Sequence, residues 1–246
     1  MTQFRTAIAS HRGGAFLWPE NSLTAFRATA GLALEQVECD VHATAEGDPV
    51  ILHDATLERT TDGRGPVSAL TNAAVRRVRV KGGAGETVPM LDEMLAIFRG
   101  TAIAPRIEVK ADSEGRPYRR LVSRVLESLD RAGLRSSAWI IAFDAGTAAE
   151  AQAAGGLAGV AWLMEGKTLA SLGLRGAVAV ATAYRFPEIG VPESVLDAEG
   201  CAAFRAAGIR VSVWGANHEP SIRRMLGLGI ECLTTDDPPL ALALRG

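Results

Sequence analysis

The sequence VECDVH at residues 37–42 predicts a β-strand that carries two carboxylates. Side chains alternate between the faces of a strand, so Glu38 and Asp40 point to one face and Cys39 and Val41 to the other. Two like charges on one buried face are unfavourable without a counter-charge. We therefore expect a cation on this face, supplied either by a metal ion or by a basic cluster.

Strands and helices alternate on both sides of this stretch. The other strands are predicted at about 7–10, 102–110, 139–143, 159–163, 177–181, 209–214 and 230–233. Helices are predicted from Asn21 or Ser22 onward and at about 91–95, 118–129, 146–154, 166–173, 193–207 and 219–227, and a short helix closes the chain. Strands separated by helices indicate parallel pairing, and eight such units in 246 residues predict a (β/α)₈ TIM barrel. A doubly wound open sheet is the alternative.

A segment after the second strand departs from this alternation. A short strand at 49–54 ends near His53, and residues 55–87 are rich in Thr, Gly, Arg and Lys. We interpret 55–87 as a small insertion subdomain, with Thr71 and Asn72 capping a short helix, inside a single TIM-barrel domain that spans 1–246. The insertion could shield a site or mediate dimer contacts.

Composition excludes several classes of protein. The net charge of −2 argues against a nucleic-acid binder with a broad basic surface. The three cysteines are far apart in the sequence, which favours buried thiols in a reducing compartment over disulfides or a zinc cluster. Met1 to Ser10 lacks the apolar core of a secretory signal, and no run is long and apolar enough to span a membrane. We expect a cytoplasmic protein without stable membrane insertion, and an oligomer is possible.

Polar residues follow the predicted barrel strands at their carboxyl ends, where TIM-barrel sites form. Glu38, Asp40 and Glu108 give three carboxylates from neighbouring strands. Ligation by oxygen alone suits a hard divalent cation such as Mg²⁺ or Ca²⁺ and does not suit zinc. The alternative is a structural ion-pair network in which Lys110 and Arg12 neutralise the carboxylates.

Two histidines, His11 and His53, follow different strands and suit general acid and base catalysis near neutral pH. Arg12 and Lys110 could hold a phosphate against the metal.

The remaining candidates stay open. Trp214 is either a core aromatic or a pocket wall, and His42 either lines the pocket or is a plain loop residue. His218 is predicted to be structural. The apolar residues 16–18 either contact a substrate tail or pack within their loop.

The motifs along the chain resemble those of the glycerophosphodiester phosphodiesterase family. They are HRGG at 11–14, PENS at 19–22, ECDVHAT at 38–44, PVILHDATLERTT at 49–61, Gly63 and Gly65, Glu108 with Lys110, FD at 143–144, VW at 213–214 with Asn217, and TD at 235–236. They run in the family's order over nearly the whole chain. Departures at Ala142, at AEGD 45–48 and at GAN 215–217 remove no ligand or histidine, so they bear on substrate preference.

The resemblance implies a TIM barrel with a small insertion after strand two. It implies that Glu38, Asp40 and Glu108 bind a divalent cation, that His11 and His53 form the acid–base pair, and that Arg12 and Lys110 hold the phosphate. We also assign Trp214 and Asn217 to substrate binding. In the family's mechanism a glycerol hydroxyl attacks phosphorus and expels the alcohol, and the resulting cyclic phosphate is hydrolysed to glycerol 3-phosphate.

Metal-dependent hydrolysis of a small-molecule glycerophosphodiester is therefore the expected function. One alternative is an enzyme on the same scaffold that acts like a lysophospholipase D or cleaves another phosphodiester. Another is a catalytically silent phosphodiester-binding barrel, which the acid–base pair argues against because a binder has no use for one.

Overall fold

The sheet of this protein closes into a barrel. A computed structural model describes residues 5–246, so the expectation for the N-terminus falls partly, at residues 1–4, outside the described residues. The strands are β1 (Ala7–Ser10), β2 (Gln36–Ala43), β3 (Pro49–Ile51), β4 (Ala104–Val109), β5 (Trp139–Ala142), β6 (Gly159–Leu163), β7 (Glu188–Pro192), β8 (Arg210–Trp214) and β9 (Cys232–Thr235). All except β3 are parallel, and β1 pairs with both β2 and β9. That closure confirms the TIM barrel and excludes the open sheet.

Helices cover the outside of the barrel. They are α1 (Leu23–Ala30), α2 (Asn72–Val75), α3 (Leu91–Phe98), α4 (Leu121–Ala132), α5 (Ala145–Ala154), α6 (Gly166–Tyr184), α7 (Ala198–Ala206), α8 (Glu219–Leu228) and α9 (Pro238–Arg245). The hydroxyls of Ser22 and Thr71 accept hydrogen bonds from backbone amides in the first turns of α1 and α2, as their N-cap positions predict. Among residues 5–246, no helix has both the length and the apolar character that a membrane crossing needs.

The predicted strand at 177–181 is wrong. These residues belong to α6, where Ala177 and Ala181 are both fully buried one helical turn apart. The predicted end of the helix at 173 coincides with an interruption, since Gly173 has a positive φ of 64°. The strand that occupies this place in the barrel is β7, whose first residue is a buried glutamate, Glu188. Because β7 begins with a charged residue, a search for apolar patterns in the sequence could not reveal this strand.

The lower part of the barrel interior is polar as well as apolar. Arg106 on β4 is 1% exposed, and its guanidinium donates to Glu188 Oε1 at 2.6 Å and to Ser212 Oγ at 3.1 Å. Because a buried charge is costly unless it is paired, this ion pair explains how both residues occupy the interior. Arg106 also forms the floor of the cavity described below.

The segment between β2 and β4 builds its own small core. β3 pairs antiparallel with β2, and its register places Val50 opposite His42. A cluster separate from the main core contains Val50, Leu52, Leu57, Val67, Val75, Val80, Val88 and Met90. The predicted excursion at 55–87 thus packs on β3 at the carboxyl end of the barrel, beside the residues that follow β2.

Candidate active site

Three carboxylates from adjacent strands meet at the carboxyl end of the barrel. The register of β2 and β4 places Asp40 directly beside Glu108, and Glu38 lies one step deeper on the same face of β2. One carboxylate oxygen from each of the three residues lies within 4.8 Å of the others, and all three side chains are buried. The alternation predicted from the sequence therefore brings these groups together.

The donor set of this cluster fits a hard divalent cation. Glu38 Oε1 and Asp40 Oδ1 are buried and have no hydrogen-bond partner among the described residues. Burial, and then the charge of Asp40, raise the pKa of Glu38 to about 8. A carboxylate in this position is ionised at neutral pH only if further positive charge is near, and an ion bound by oxygens supplies it.

Arg12 and Lys110 already contact the carboxylates. Lys110 Nζ lies 2.7 Å from Glu108 Oε1 and 3.3 Å from Asp40 Oδ1, and Arg12 Nε lies 3.3 Å from Asp40 Oδ2. Burial alone would raise the pKa of Asp40, but the charges of Lys110 and Arg12 hold it below its ordinary range. The ion pairs of the alternative hypothesis thus exist, yet among the described residues they leave the buried Glu38 Oε1 without a hydrogen bond or an ion pair.

The loop after β1 turns sharply to deliver Arg12. Arg12 has a φ of 51°, which costs a residue other than glycine about 1–2 kcal/mol, and its backbone amide donates to Glu38 Oε2 at 2.9 Å. At the following Gly13, a Cβ would lie 2.7 Å from that of Ala25 on α1. Strain of this kind persists where surrounding contacts enforce it, typically at functional sites.

His11 is held by a carboxylate from the last strand. Its Nδ1 lies 2.6 Å from Asp236 Oδ1, and Asn217 Nδ2 donates to Asp236 Oδ2 at 2.5 Å. Its Nε2 lies 3.9 Å from Glu38 Oε2. Burial would lower the pKa of His11, but the hydrogen bond with Asp236 and the charge of Glu38 outweigh it, so that the pKa is raised. This arrangement favours the protonated imidazole.

His53 is held in a similar way but with a different balance of charge. Its Nδ1 lies 2.6 Å from Asp54 Oδ1, and Arg59 donates to both oxygens of Asp54.

The Nε2 of His42 lies 3.1 Å from the backbone oxygen of His53, while Tyr118 contacts Nδ1 of His42 at 3.0 Å. His42 lies within β2 and not in a loop. Burial lowers its pKa to about 4, so this supporting imidazole is neutral.

A cavity of about 470 Å³ joins these groups across the barrel mouth. Eight of the nine predicted site residues line it: His11, Arg12, Glu38, His53, Glu108, Lys110, Trp214 and Asn217. Asp40, fully buried, is absent from the lining.

The far wall of the cavity is apolar, and there Trp214 packs edge-on against Phe143 with ring centroids 6.1 Å apart. Trp214 is thus a pocket wall, and its buried Nε1 has no hydrogen-bond partner among the described residues. His42 lines an adjoining cavity of about 400 Å³.

Other predicted residues lie at the rim. Both polar side-chain atoms of Asn217 are hydrogen-bonded to Asp236. Nδ2 donates to Asp236 Oδ2, and Oδ1 accepts from the Asp236 amide at 2.8 Å. His218 is exposed at the N-cap of α8, and its ring lies 5.7 Å from that of Phe16. Phe16 and Leu17 are 54% and 44% exposed, so packing within the loop does not account for them.

Sequence reasoning gave no role to the residues that hold the site residues. Asp54 and Asp236 anchor the two histidines, and Asn21 Nδ2 donates to Asp40 at 2.8 Å. Glu20 bridges Arg12 and Arg59. These four residues and Arg59 stand in the motifs quoted above, but a motif does not show which partner a side chain contacts.

Comparisons with known proteins agree with this fold. The model of the glycerophosphoryl diester phosphodiesterase family matches residues 11–240. A glycerophosphodiester phosphodiesterase of Caldanaerobacter subterraneus is 24% identical over 245 residues, 98% of each chain. A crystal structure assigned to a glycerophosphoryl diester phosphodiesterase of Agrobacterium tumefaciens has a TM-score of 0.95 and 35% identity, covering 98% of this chain and 97% of the other. An Oleispira antarctica phosphodiesterase in complex with the product sn-glycerol-3-phosphate has a TM-score of 0.83 and 22% identity, covering 98% and 97%.

Proposed function

Because the chain belongs to the glycerophosphoryl diester phosphodiesterase family of hydrolytic enzymes, we propose that it hydrolyses glycerophosphodiesters to glycerol 3-phosphate and an alcohol. The observation that carries the proposal is one cavity that brings two aspartate-anchored histidines and two basic side chains beside a cluster of three buried carboxylates. The product bound to the Oleispira antarctica enzyme supports glycerol 3-phosphate as the product here.

Glu38, Asp40 and Glu108 would hold a divalent cation, Mg²⁺ or Ca²⁺. Such an ion neutralises the carboxylates, so that an anionic phosphodiester can enter, and stabilises charge that develops on the phosphoryl oxygens. Arg12 and Lys110 add fixed positive charge on the same side of the cavity, Arg12 as a planar fork and Lys110 as a point charge.

His11 and His53 would move the protons. Asp236 has only the neutral Asn217 as a second side-chain partner in its hydrogen bonds, whereas Arg59 shares the charge of Asp54. His11 is therefore the better protonated donor, and we assign it to the leaving alcohol oxygen. His53 then accepts the proton of the attacking hydroxyl, and the two exchange roles when water completes the hydrolysis.

Purified protein is assayed against glycerophosphocholine, glycerophosphoethanolamine and glycerophosphoglycerol, with EDTA and after Mg²⁺ or Ca²⁺ is restored. We expect activity to depend on the cation. Calorimetric titration with each ion measures binding directly, and Glu108→Gln should abolish it. Glu127→Gln, on the outer helix α4 and 45% exposed, is the matched control. Turnover in EDTA, or unchanged ion affinity in Glu108→Gln, would contradict the metal site.

A second candidate function is cleavage of the headgroup ester of a lysophospholipid. The exposed side chains of Phe16 and Leu17, in the loop after His11, favour it because they could receive an acyl chain. Release of choline from a lysophosphatidylcholine without release from glycerophosphocholine would favour this candidate. The cytoplasmic location expected from three unpaired thiols is also a proposal, which cell fractionation would test.

A further inference from the structure

The guanidinium of Arg59, the fifth residue of the 55–87 segment, is shared by two carboxylates. Its Nη1 and Nη2 donate to the two oxygens of Glu20, each at 2.8 Å. Its Nε and Nη2 donate to the two oxygens of Asp54, at 2.6 and 3.0 Å. One planar side chain thus forms two bidentate pairs, which only arginine has the geometry to do.

The two carboxylates lead to the two sides of the active site. Asp54 holds His53 through its Nδ1 at 2.6 Å. Glu20 accepts from Arg12 Nη1 at 3.1 Å, and Arg12 directly follows His11. A continuous chain of hydrogen bonds therefore links the loop after β1 to the loop after β3, and Arg59 is the link between them.

Arg59 is itself held by the segment from which it projects. Lys81 Nζ donates to the backbone oxygens of Glu58 and Arg59, at 2.5 and 3.3 Å, and the Lys81 amide donates to the oxygen of Thr60. Leu57, two residues before Arg59, is 1% exposed in the small core that Val80 also joins. The backbone that carries Arg59 is thus fixed by hydrogen bonds and packing. A side chain that positions other residues needs such support.

We propose that Arg59 is a positioning residue that fixes the His11 loop against the His53 loop, and that supplying it is a function of the 55–87 segment. The catalytic part of this inference rests on the proposed function. Arg59 contacts no group that transfers a proton in that mechanism, except for a marginal 3.5 Å approach to Nδ1 of His53, so its effect is exerted through Asp54 and Glu20. Because the Arg59 side chain is 46% exposed, its ion pairs contribute little to overall stability, and their consequence lies in geometry.

Kinetics of Arg59→Lys test the catalytic part. Lysine keeps the charge but cannot bind two carboxylates in a bidentate manner. We expect kcat to fall by at least about tenfold, the order that loosened positioning costs, with a smaller change in KM and an unchanged melting temperature. Arg64→Lys, at an exposed arginine of the same segment without an ion pair among the described residues, is the control. Ethylguanidinium should partly restore Arg59→Ala.

Hydrogen exchange tests the link without reference to activity. In Arg59→Ala, amides at 11–22 and 52–60 should exchange faster, while those of β5 to β8 should not, and Arg64→Ala should match the wild type. Faster exchange at both loops in Arg59→Ala, together with wild-type protein that hydrolyses no glycerophosphodiester, would sink the proposed function and leave the link intact. Unchanged exchange at both loops, or Arg59→Lys with kcat within threefold of the wild type, would overturn the inference.

Discussion

Replacing Asp236 by asparagine should impair His11 without unfolding the barrel. The two carboxylate oxygens of Asp236 serve two donors, with Oδ1 facing Nδ1 of His11 and Oδ2 accepting from Asn217. An asparagine has only one acceptor oxygen, so one of the two donors loses its partner. If the amide nitrogen of the asparagine faces His11, Nδ1 must accept a hydrogen bond and therefore cannot carry a proton. The asparagine then no longer stabilises His11 as an imidazolium.

The magnitude follows from the contact that is lost. The bond is 2.6 Å long, and both side chains are mostly buried, 19% and 14% exposed. A hydrogen bond to a charged group contributes about 1.5–3 kcal/mol. At about 1.36 kcal/mol for each factor of ten, kcat for glycerophosphocholine should fall by about 10–150-fold. The fall in kcat is the readout for His11, because Asp236 also holds Asn217, which is assigned to substrate binding and would affect KM.

The pH profile separates this explanation from general damage. The Asp236 hydrogen bond is one of the causes that raise the pKa of His11, so removing it lowers that pKa. His11 then loses its proton at lower pH, and the alkaline limb of kcat/KM should move toward acid. Asp237→Asn is the control, since Asp237 caps α9 and asparagine caps equally well. A profile like that of the wild type, with kcat within threefold, would refute the assignment.

Three further outcomes are expected. Burial lowers the pKa of His42 to about 4 from the ordinary 6.5. As the pH falls, His42 is therefore protonated in the unfolded chain before it is protonated in the folded chain. The free energy of unfolding should therefore fall by about 3 kcal/mol as the pH drops from above 6.5 to 4, and urea unfolding of His42→Gln should lack this part of the loss. Gly159→Ala would push a Cβ into the ring of Trp139 and should cost about 1–3 kcal/mol, whereas Gly227→Ala, in open space on α8, should stabilise by about 0.5–1 kcal/mol in the same measurement. Arg12→Lys should raise KM about tenfold in steady-state kinetics, because lysine cannot hold a phosphate through a fork.

The carboxylate cluster was predictable because it depends on local rules. Alternation along β2 places Glu38 and Asp40 on one face, and parallel pairing brings Glu108 beside Asp40. The first step is local, and the second requires only the order of the strands and helices along the chain. The predicted fold and the meeting of the carboxylates therefore followed from strand periodicity and the order of the elements.

The errors and omissions arise where distant partners override local pattern. The alternating Ala and Val of 177–181 imitate a strand, but the segment packs as a helix. Glu188 begins a true strand because Arg106, 82 residues earlier, neutralises it inside the barrel. The role of Asp236 was missed for the same reason, since nothing near it in the sequence shows that it meets His11.

The anchoring of His11 by Asp236 spans 225 residues and crosses the seam where β9 closes on β1. During synthesis, β2 and β4 emerge when less than half of the chain has been made, whereas β9 is the last strand to follow. His11 would remain without its anchor until the last strand was in place. Hydrolytic activity that depends on this anchor would therefore develop only once the barrel has closed. A chain clipped before Asp236 would turn over substrate poorly, because His11 would lack its anchor.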